Sequence, residues 1–363
     1  MKKLFYFAAA AVALAACAKN EVIPVNSGEN QEITFNVAPK TKADIQTFDK
    51  GNVFASWAYY LPKEASGTVT NWSEAWTVRK DAKPYISNSQ ISWNNDVWKN
   101  ANTSYYWPKD GTLTFFAYSL NCANLSLKNN SGNTTPIDCL NTEGAYGINA
   151  TIDLKENQNL DLLVADIAAD KAHNEDFQSL NGVPTLFKHK FSRVQFAVKK
   201  KANCGNATIT LNSIKFNNVV YYGTYCQYNN VEGTFVNDYC SKNGARTTIT
   251  YTETPFVVKF SDRFDPVTET DESYYIYFPQ NFKNVEDQTK IATIEVKYTV
   301  KFSDDIIEEC TKSLNVKEIF DSWDVGKKYI FNLKFSLDEI TWAPAVEEWE
   351  TVTKEIDIKY RDL

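Results

Sequence analysis

Histidine is almost missing from this chain of 363 residues: only His173 and His189 occur, and methionine appears once. No two cysteines stand at Cys-x-x-Cys spacing and no His-Glu-x-x-His occurs, so nothing in the sequence points to zinc or another bound metal. A base or ligand role for His189 needs a carboxylate, a thiol or a second imidazole beside it. His173 lies in a polar stretch, so His189 is read as structural. Phosphate loops, the dinucleotide fingerprint and the Gly-x-Ser-x-Gly elbow are lacking too, which leaves no cofactor and no catalytic residue to nominate. Paired acids for glycoside hydrolysis carry almost no information among 45 acidic residues. Basic residues number only 38 and form no stripe, which excludes nucleic acid as a partner. Stripes of 3.6-residue period are missing, and no apolar run reaches the roughly 20 residues of a membrane-spanning helix.

What the chain does have begins at its N-terminus. Lys2 and Lys3 precede an apolar run from Leu4 to Ala16, closed by Leu14-Ala15-Ala16-Cys17. A basic start, a short apolar middle and small residues before a cut is the layout of a secretory signal. Cysteine directly after Leu-Ala-Ala resembles a bacterial lipobox, in which that cysteine is acylated and becomes the new N-terminus. A plain signal with a chance cysteine is the alternative. Residues 1–16 are thus expected to be a lipoprotein signal peptide, Cys17 the lipidation site, and polar residues 17–31 a tether. Several acyl chains, at about 0.8 kcal/mol per buried methylene, hold a protein stably on a membrane where one does not. Removing residues 1–16 leaves 36 basic against 45 acidic side chains, a net charge of about −9 that suits a self-repelling surface protein.

Aromatic residues are plentiful, with 20 Tyr, 22 Phe and 9 Trp, and together with Thr, Val and Ile they favour strands. Ile33, Phe35 and Val37 alternate on one face of Glu32–Val37, which Pro39 ends, and Lys40-Thr41-Lys42 follows as an exposed basic link. Val53–Tyr60 is a second strand. Pro108-Lys109-Asp110-Gly111 is turn chemistry before Leu113–Tyr118, whose two faces are both apolar. Asp161–Ala165 reads as a buried strand, and polar residues 166–182 as a boundary or long crossing loop. In 186–198 the apolar parity switches from Phe187, His189 and Phe191 to Val194, Phe196 and Val198, which predicts a β-bulge near Ser192. Further strands recur to Tyr329–Phe335, and Val352–Tyr360 closes the chain with Ile356, Ile358 and Tyr360 on one side. Strands at this spacing without a βαβ rhythm mean an all-β, antiparallel sandwich architecture. The expected division is 32–182 and 183–363.

Six cysteines remain beyond Cys17, and outside the cytoplasm an even count permits disulfides. The pairs near in sequence, Cys122/Cys139 and Cys226/Cys240, are the candidates, with buried thiols as the alternative. Acidic runs at Asp265, Glu269, Asp271 and Glu272, and at Asp304, Asp305, Glu308 and Glu309, are read as solvated loops. Calcium is the alternative there.

Several short segments, in this order, resemble the fimbrillin family of lipoprotein pilins and pilin-like surface proteins of gut and oral anaerobes. They are the lipobox at Cys17, Tyr106-Trp107-Pro108 with Leu113-Thr114-Phe115-Phe116-Ala117-Tyr118, and Asp161-Leu162-Leu163-Val164-Ala165. Phe187-x-His189-x-Phe191-Ser192-Arg193-Val194 and Trp323-x-x-Gly326-Lys327-x-Tyr329, followed by Val346-x-x-Trp349, complete the set. The resemblance implies two tandem transthyretin-like β-sandwiches, no catalysis, and anchorage in the outer membrane as part of a fimbrium. It also implies other pilin subunits as partners, with ligands on host or bacterial surfaces. A trypsin-like protease would cut at Lys40 or Lys42 and free the strand bearing Ile33, Phe35 and Val37. The donor strand of another subunit, here Val352, Ile356, Ile358 and Tyr360, would take its place by β-augmentation. Such pilins are typically cut after arginine, and this link carries lysines. The rival reading is a surface glycan-binding lipoprotein whose Trp72, Trp76, Trp93 and Trp98 stack on sugar rings.

Overall fold

A computed structural model describes residues 32–39, 48–63, 71–72, 79, 82–128, 134–135, 137–142, 145–157, 160–172, 182–227, 234–236, 245–267, 275–283, 285, 287–304, 306–336, 339–348, 351–353 and 356–359. Strands dominate it, as the alternating pattern predicts. In the first half the principal ones are β1 (Phe35–Pro39), β2 (Phe54–Leu61), β3 (Lys83–Asn94), β4 (Val97–Asn100) and β5 (Thr112–Ser119). They are followed by β6 (Asp138–Thr142), β7 (Ala145–Asp153) and β8 (Leu163–Ala165). Next come β9 (Val183–His189), β10 (Ser192–Lys200), β11 (Thr208–Val220), β12 (Tyr222–Cys226) and β13 (Arg246–Thr252). The hairpin β14 (Thr293–Ser303) and β15 (Ile306–Asn315) precedes β16 (Lys327–Phe335), β17 (Glu339–Glu348), β18 (Thr351–Thr353) and β19 (Ile356–Lys359).

The first sheet closes on itself. β5 pairs with β8, β8 with β9, β9 with β1, β1 with β4, β4 with β3, β3 with β2, and β2 returns to β5. All these pairings are antiparallel except β1 with β9. Closure removes free edges, and a ring this small is filled by its own inward side chains. Phe35, Phe54, Ala58, Tyr60, Ile91, Trp98, Phe115 and Phe187 belong to that filling. At the Pro108–Gly111 turn the chain behaves as its composition demands. Gly111 has φ +70°, and the Tyr60 hydroxyl donates to Asp110 Oδ1 at 2.7 Å.

β2 and β5 are buried on both faces because a second layer covers the outside of the ring. That layer is a four-stranded sheet of β6, β7, β12 and Thr234–Val236. Its Tyr146, Ile148, Ala150 and Tyr225 pack with Trp57, Tyr59, Phe116 and Tyr118 of the ring. Tyr59 and Tyr146 meet edge to face at 4.4 Å, and each fully buried aromatic of this kind contributes on the order of 1.5–3 kcal/mol.

The second half is two facing sheets. One carries β10, β16 and β17, with β10 and β16 parallel; the other carries β13, β11, β14 and β15. β16 alternates strictly, with Tyr329, Phe331, Leu333 and Phe335 turned into the core. Phe196 stacks on Phe331 at 4.9 Å, and Phe216 meets Trp323 edge-on at 5.1 Å.

Two expectations change. The parity switch in 186–198 is not a bulge: β9 ends at His189, β10 begins at Ser192, and the two lie in different sheets. Phe187 fills the ring while Val194, Phe196 and Val198 fill the second core, so the switch marks a crossing between cores. The division at 182/183 also does not follow the sheets. β9 pairs within the ring, and β12 returns to pair with β7.

The covering layer depends on one close approach. A Cβ on Gly147 would sit 1.1 Å from the backbone oxygen of Gln227, whose own amide donates to Ile148 O at 2.8 Å and whose side chain reaches Ala165 O at 2.9 Å. Gly147→Ala is therefore expected to lower the unfolding free energy by about 3 kcal/mol. Gly51→Ala, on an exposed turn, should change it by less than about 0.5 kcal/mol. Equal effects in chemical denaturation would contradict the approach.

Candidate assembly site

β1 is the closing stave of the ring. It runs parallel to β9 over five positions, from Phe35 opposite Val183 to Pro39 opposite Phe187, and meets β4 at one, Phe35 opposite Trp98. β9 therefore holds most of its ladder. Just before the strand, the Ile33 amide donates to Tyr105 O, and the Val183 amide to Thr34 O, each at 2.7 Å. Ile33 and Phe35 are buried, and Val37 packs at the margin of the same core. Phe35 meets Phe54 and Phe115 edge-on at 5.3 and 5.9 Å. Gly182 permits this fit: its φ is +123°, and a Cβ there would come within 2.7 Å of Thr34 O. Glu32 completes the docking, accepting from Lys99 Nζ at 3.0 Å and Ser104 Oγ at 2.7 Å. Burial pushes the Glu32 carboxyl up, but these two donors outweigh it and hold it below its ordinary value.

The expected donor lies at the opposite end of the molecule's strand order. β18 and β19 both fold back antiparallel on β17, with Val352 opposite Val346, Ile356 opposite Trp342 and Ile358 opposite Ile340. They form the border of the second-half sheet, and the structure does not bring them to β1. Cys17, Lys40, Lys42, Cys240, Trp76 and Tyr360 lie outside the described residues.

Other candidates resolve differently. Cys122 and Cys139 form no bridge; both are thiols, as is Cys226. Cys122 Sγ donates to Asn124 O at 3.0 Å, while burial between the ring and its covering layer pushes the Cys139 thiol up to about 12. Among the described residues the nominated tryptophans form no open sugar platform. Trp72 and Trp98 are buried, and half-buried Trp93 packs on Trp98 with Lys50 Nζ 4.0 Å over its ring. Asp304 is ion-paired to Lys301, and Glu269, Asp271 and Glu272 lie outside the described residues. Among the described residues no group of three or more His, Cys, Asp and Glu gathers where a metal would sit.

The chain's crossing from ring to second half carries a cluster that the residue-by-residue reading did not link. Buried Asp161 bonds His189 Nδ1 at 2.5 Å and lies 3.6 Å from the Arg193 guanidinium, which is also buried. Ser192 Oγ donates to Asp324 O at 2.8 Å, and the Gly326 amide to Phe191 O at 2.9 Å. Three segments far apart in sequence thus meet at one corner: 161–165, 187–194 and 323–329. His189 has the partner carboxylate that its sequence neighbourhood lacks, and that partner makes it part of a charge-paired joint.

A family model described as fimbrillin-like matches residues 41–349. The chain belongs to the fimbrillin-like family. The matched span takes in the crossing and both cores, and leaves β1 and the C-terminal strands β18 and β19 outside it. Curated proteins give no match. Among solved structures, a fimbrial protein from Bacteroides vulgatus superposes with a TM-score of 0.57 at 17% identity, covering 92% of this chain and 100% of that one. That likeness shows a shared fold. A tip fimbrial protein from Porphyromonas gingivalis with a C-terminal truncation gives a TM-score of 0.35 at 9% identity, covering 91% and 100%. The second value is too low to bear on the fold of this fimbrillin-like chain.

Folding holds the Asp161 carboxyl below its ordinary 3.8: burial pushes it up, and His189 and Arg193 more than reverse that. The stabilisation is complete above that ordinary value and is lost as pH falls through the depressed one. Asp161→Asn is expected to cost about 3 kcal/mol at pH 7, where it takes a carboxylate away from the buried Arg193 guanidinium. The gap to the parent protein should narrow in acid below pH 3.8. A gap that stays constant with pH in urea titrations would contradict the pairing.

Proposed function

We propose that this chain is a pilin-like surface adhesin, a fimbrial subunit that assembles with other subunits by strand exchange and catalyses nothing. The observation that carries the reading is the position of β1: a short N-terminal stave, tied to one neighbour by five parallel positions and to the other by one. Taking out such a strand leaves a slot with unmet backbone groups along β9 and an apolar floor of Phe54, Trp98 and Phe115. An extended strand from another subunit restores both the ladder and the pockets, which is the physics of β-augmentation. Lys40 and Lys42 directly follow β1, so a trypsin-like cut there severs the stave without touching the ring. Membership of the fimbrillin-like family supports the same reading.

β18 and β19 are the proposed donor. They border their sheet, and a border strand detaches with the loss of one ladder, where an interior strand loses two. The proposed placement is at the cell surface within a fimbrium, anchored in the outer membrane by acyl chains, palmitate among them, on Cys17 once residues 1–16 are removed. The two structural halves divide, on this reading, at the crossing between His189 and Ser192, with β12 reaching back to the first. The glycan-binding alternative loses its support because Trp72 and Trp98 are buried.

Brief trypsin treatment of the folded protein is expected to cut after Lys40 or Lys42 and to yield subunits that form ladders on a gel. Replacing Lys40 and Lys42 by Gln should abolish both. Strictly monomeric trimmed protein would sink the stalk role. Separately, Cys17→Ser should remove incorporation of labelled palmitate; continued labelling would contradict the anchor.

A further inference from the structure

β15 is the outermost strand of its sheet, and among the described residues no strand lies along its other side. It is ten residues long, a length at which an open edge invites pairing unless its side chains forbid it. Its register with β14 sets Glu308 opposite Val300, Cys310 opposite Tyr298, Lys312 opposite Val296 and Leu314 opposite Ile294. Those β14 partners are core residues, so Glu308, Cys310, Lys312 and Leu314 share the core-side face of β15, and Ile306, opposite Ser303 beyond a register shift, continues the same alternation. Cys310 and Leu314 pack against the core margin. Ile306 and Ile307, at the start of the strand, are 54% and 56% exposed.

The order along that face is apolar, acid, thiol, base, apolar. Reversed about Cys310 it complements itself. Two copies laid antiparallel about a two-fold axis at Cys310 set Ile306 opposite Leu314 and Glu308 opposite Lys312, each twice. On the outer face Glu309 meets Thr311 and Ile307 meets Ser313. Neighbouring registers lack this match. A slip of two residues one way sets Glu309 against Glu309. The opposite slip sets Glu308 against Leu314 and Cys310 against Lys312. A slip of one turns the core side of one copy to the outer side of the other. Directly opposite charges favour a pairing and like charges oppose it, so these charges select one register.

We propose that β15 is a self-pairing edge by which two copies of this chain join into one continuous sheet, with the two-fold axis at Cys310. The pairing is isologous, so it closes at two copies and makes no fibre by itself. It needs no cleavage and leaves β1 and the C-terminal strands in place, which separates it from strand exchange. A second copy fits better than an unrelated strand because both the charge order and the apolar ends are matched by β15 itself. The exposed Ile306 of each copy gains Leu314 of the other as a cover.

Diamide treatment of the uncleaved full chain tests this. In the pair, two Cys310 thiols would give up two protons and two electrons to diamide, which is reduced to its hydrazine as one S–S bond forms. The expected result is a dimer on a non-reducing gel, reversed by dithiothreitol, absent in Cys310→Ser, and mapped by mass spectrometry to a Cys310–Cys310 peptide. Glu308→Lys puts like charges together at both ends and should slow cross-linking about tenfold. Glu308→Lys combined with Lys312→Glu restores the match and should restore the rate, which also controls for damage to the fold. Cross-linking through another cysteine would overturn the proposal. So would a rate indifferent to Glu308→Lys, or a double variant that stays slow.

Discussion

The first half of this protein depends on a ladder between two segments almost 150 residues apart in sequence. Phe35–Pro39 lies parallel to Val183–Phe187, and that contact closes a sheet that otherwise consists of antiparallel neighbours. Parallel pairs arise only through long connections, and this one spans nearly the whole first half. The same contact seats Phe35 among Phe54 and Phe115, so backbone pairing and core filling rest on one short strand. A ring closed by one short stave differs from an interlocked core. The other six staves remain joined in series when the stave is withdrawn, because each still has a neighbour.

The remaining architecture keeps that slot in shape. β2 and β5 are clamped between the ring's interior and the layer of β6, β7 and β12. β9, the wall of the slot, continues directly into the crossing, where buried Asp161 bonds His189 and faces buried Arg193, and Asp324 and Gly326 bond the chain on its far side. Buried ionic groups contribute little net stability, but they define one arrangement sharply when each partner is present. Here the arrangement they define is the direction in which β9 leaves the ring. A defined wall beside one short strand is the arrangement that the proposed strand exchange requires.

Much of this was legible in the residues. Alternation in Ile33, Phe35 and Val37 located the first strand, two-sided apolarity in Leu113–Tyr118 announced a strand covered on both faces, and Pro108–Gly111 marked its turn. Three features were not legible, each for a physical reason. Ring closure depends on β1 finding β9, and a parallel pairing over so long a loop leaves no local trace. The parity switch around Phe191 has the same signature whether a strand bulges or passes from one core to another; only sheet membership separates them. His189 stood among lysines in sequence, and its carboxylate partner comes from 28 residues earlier. Cysteine spacing misled for Cys122 and Cys139, since proximity along the chain does not bring two side chains to bonding geometry.

The dependence of β9 on β1 is read by hydrogen exchange along Val183–His189, measured on the intact protein, on subunits cut after β1, and on assembled material. Exchange is expected to be slow in the first, fast in the second while β2 and β5 stay protected, and slow again in the third. Protection of Val183–His189 that is indifferent to cutting would contradict it, and so would a loss that spreads to β2 and β5.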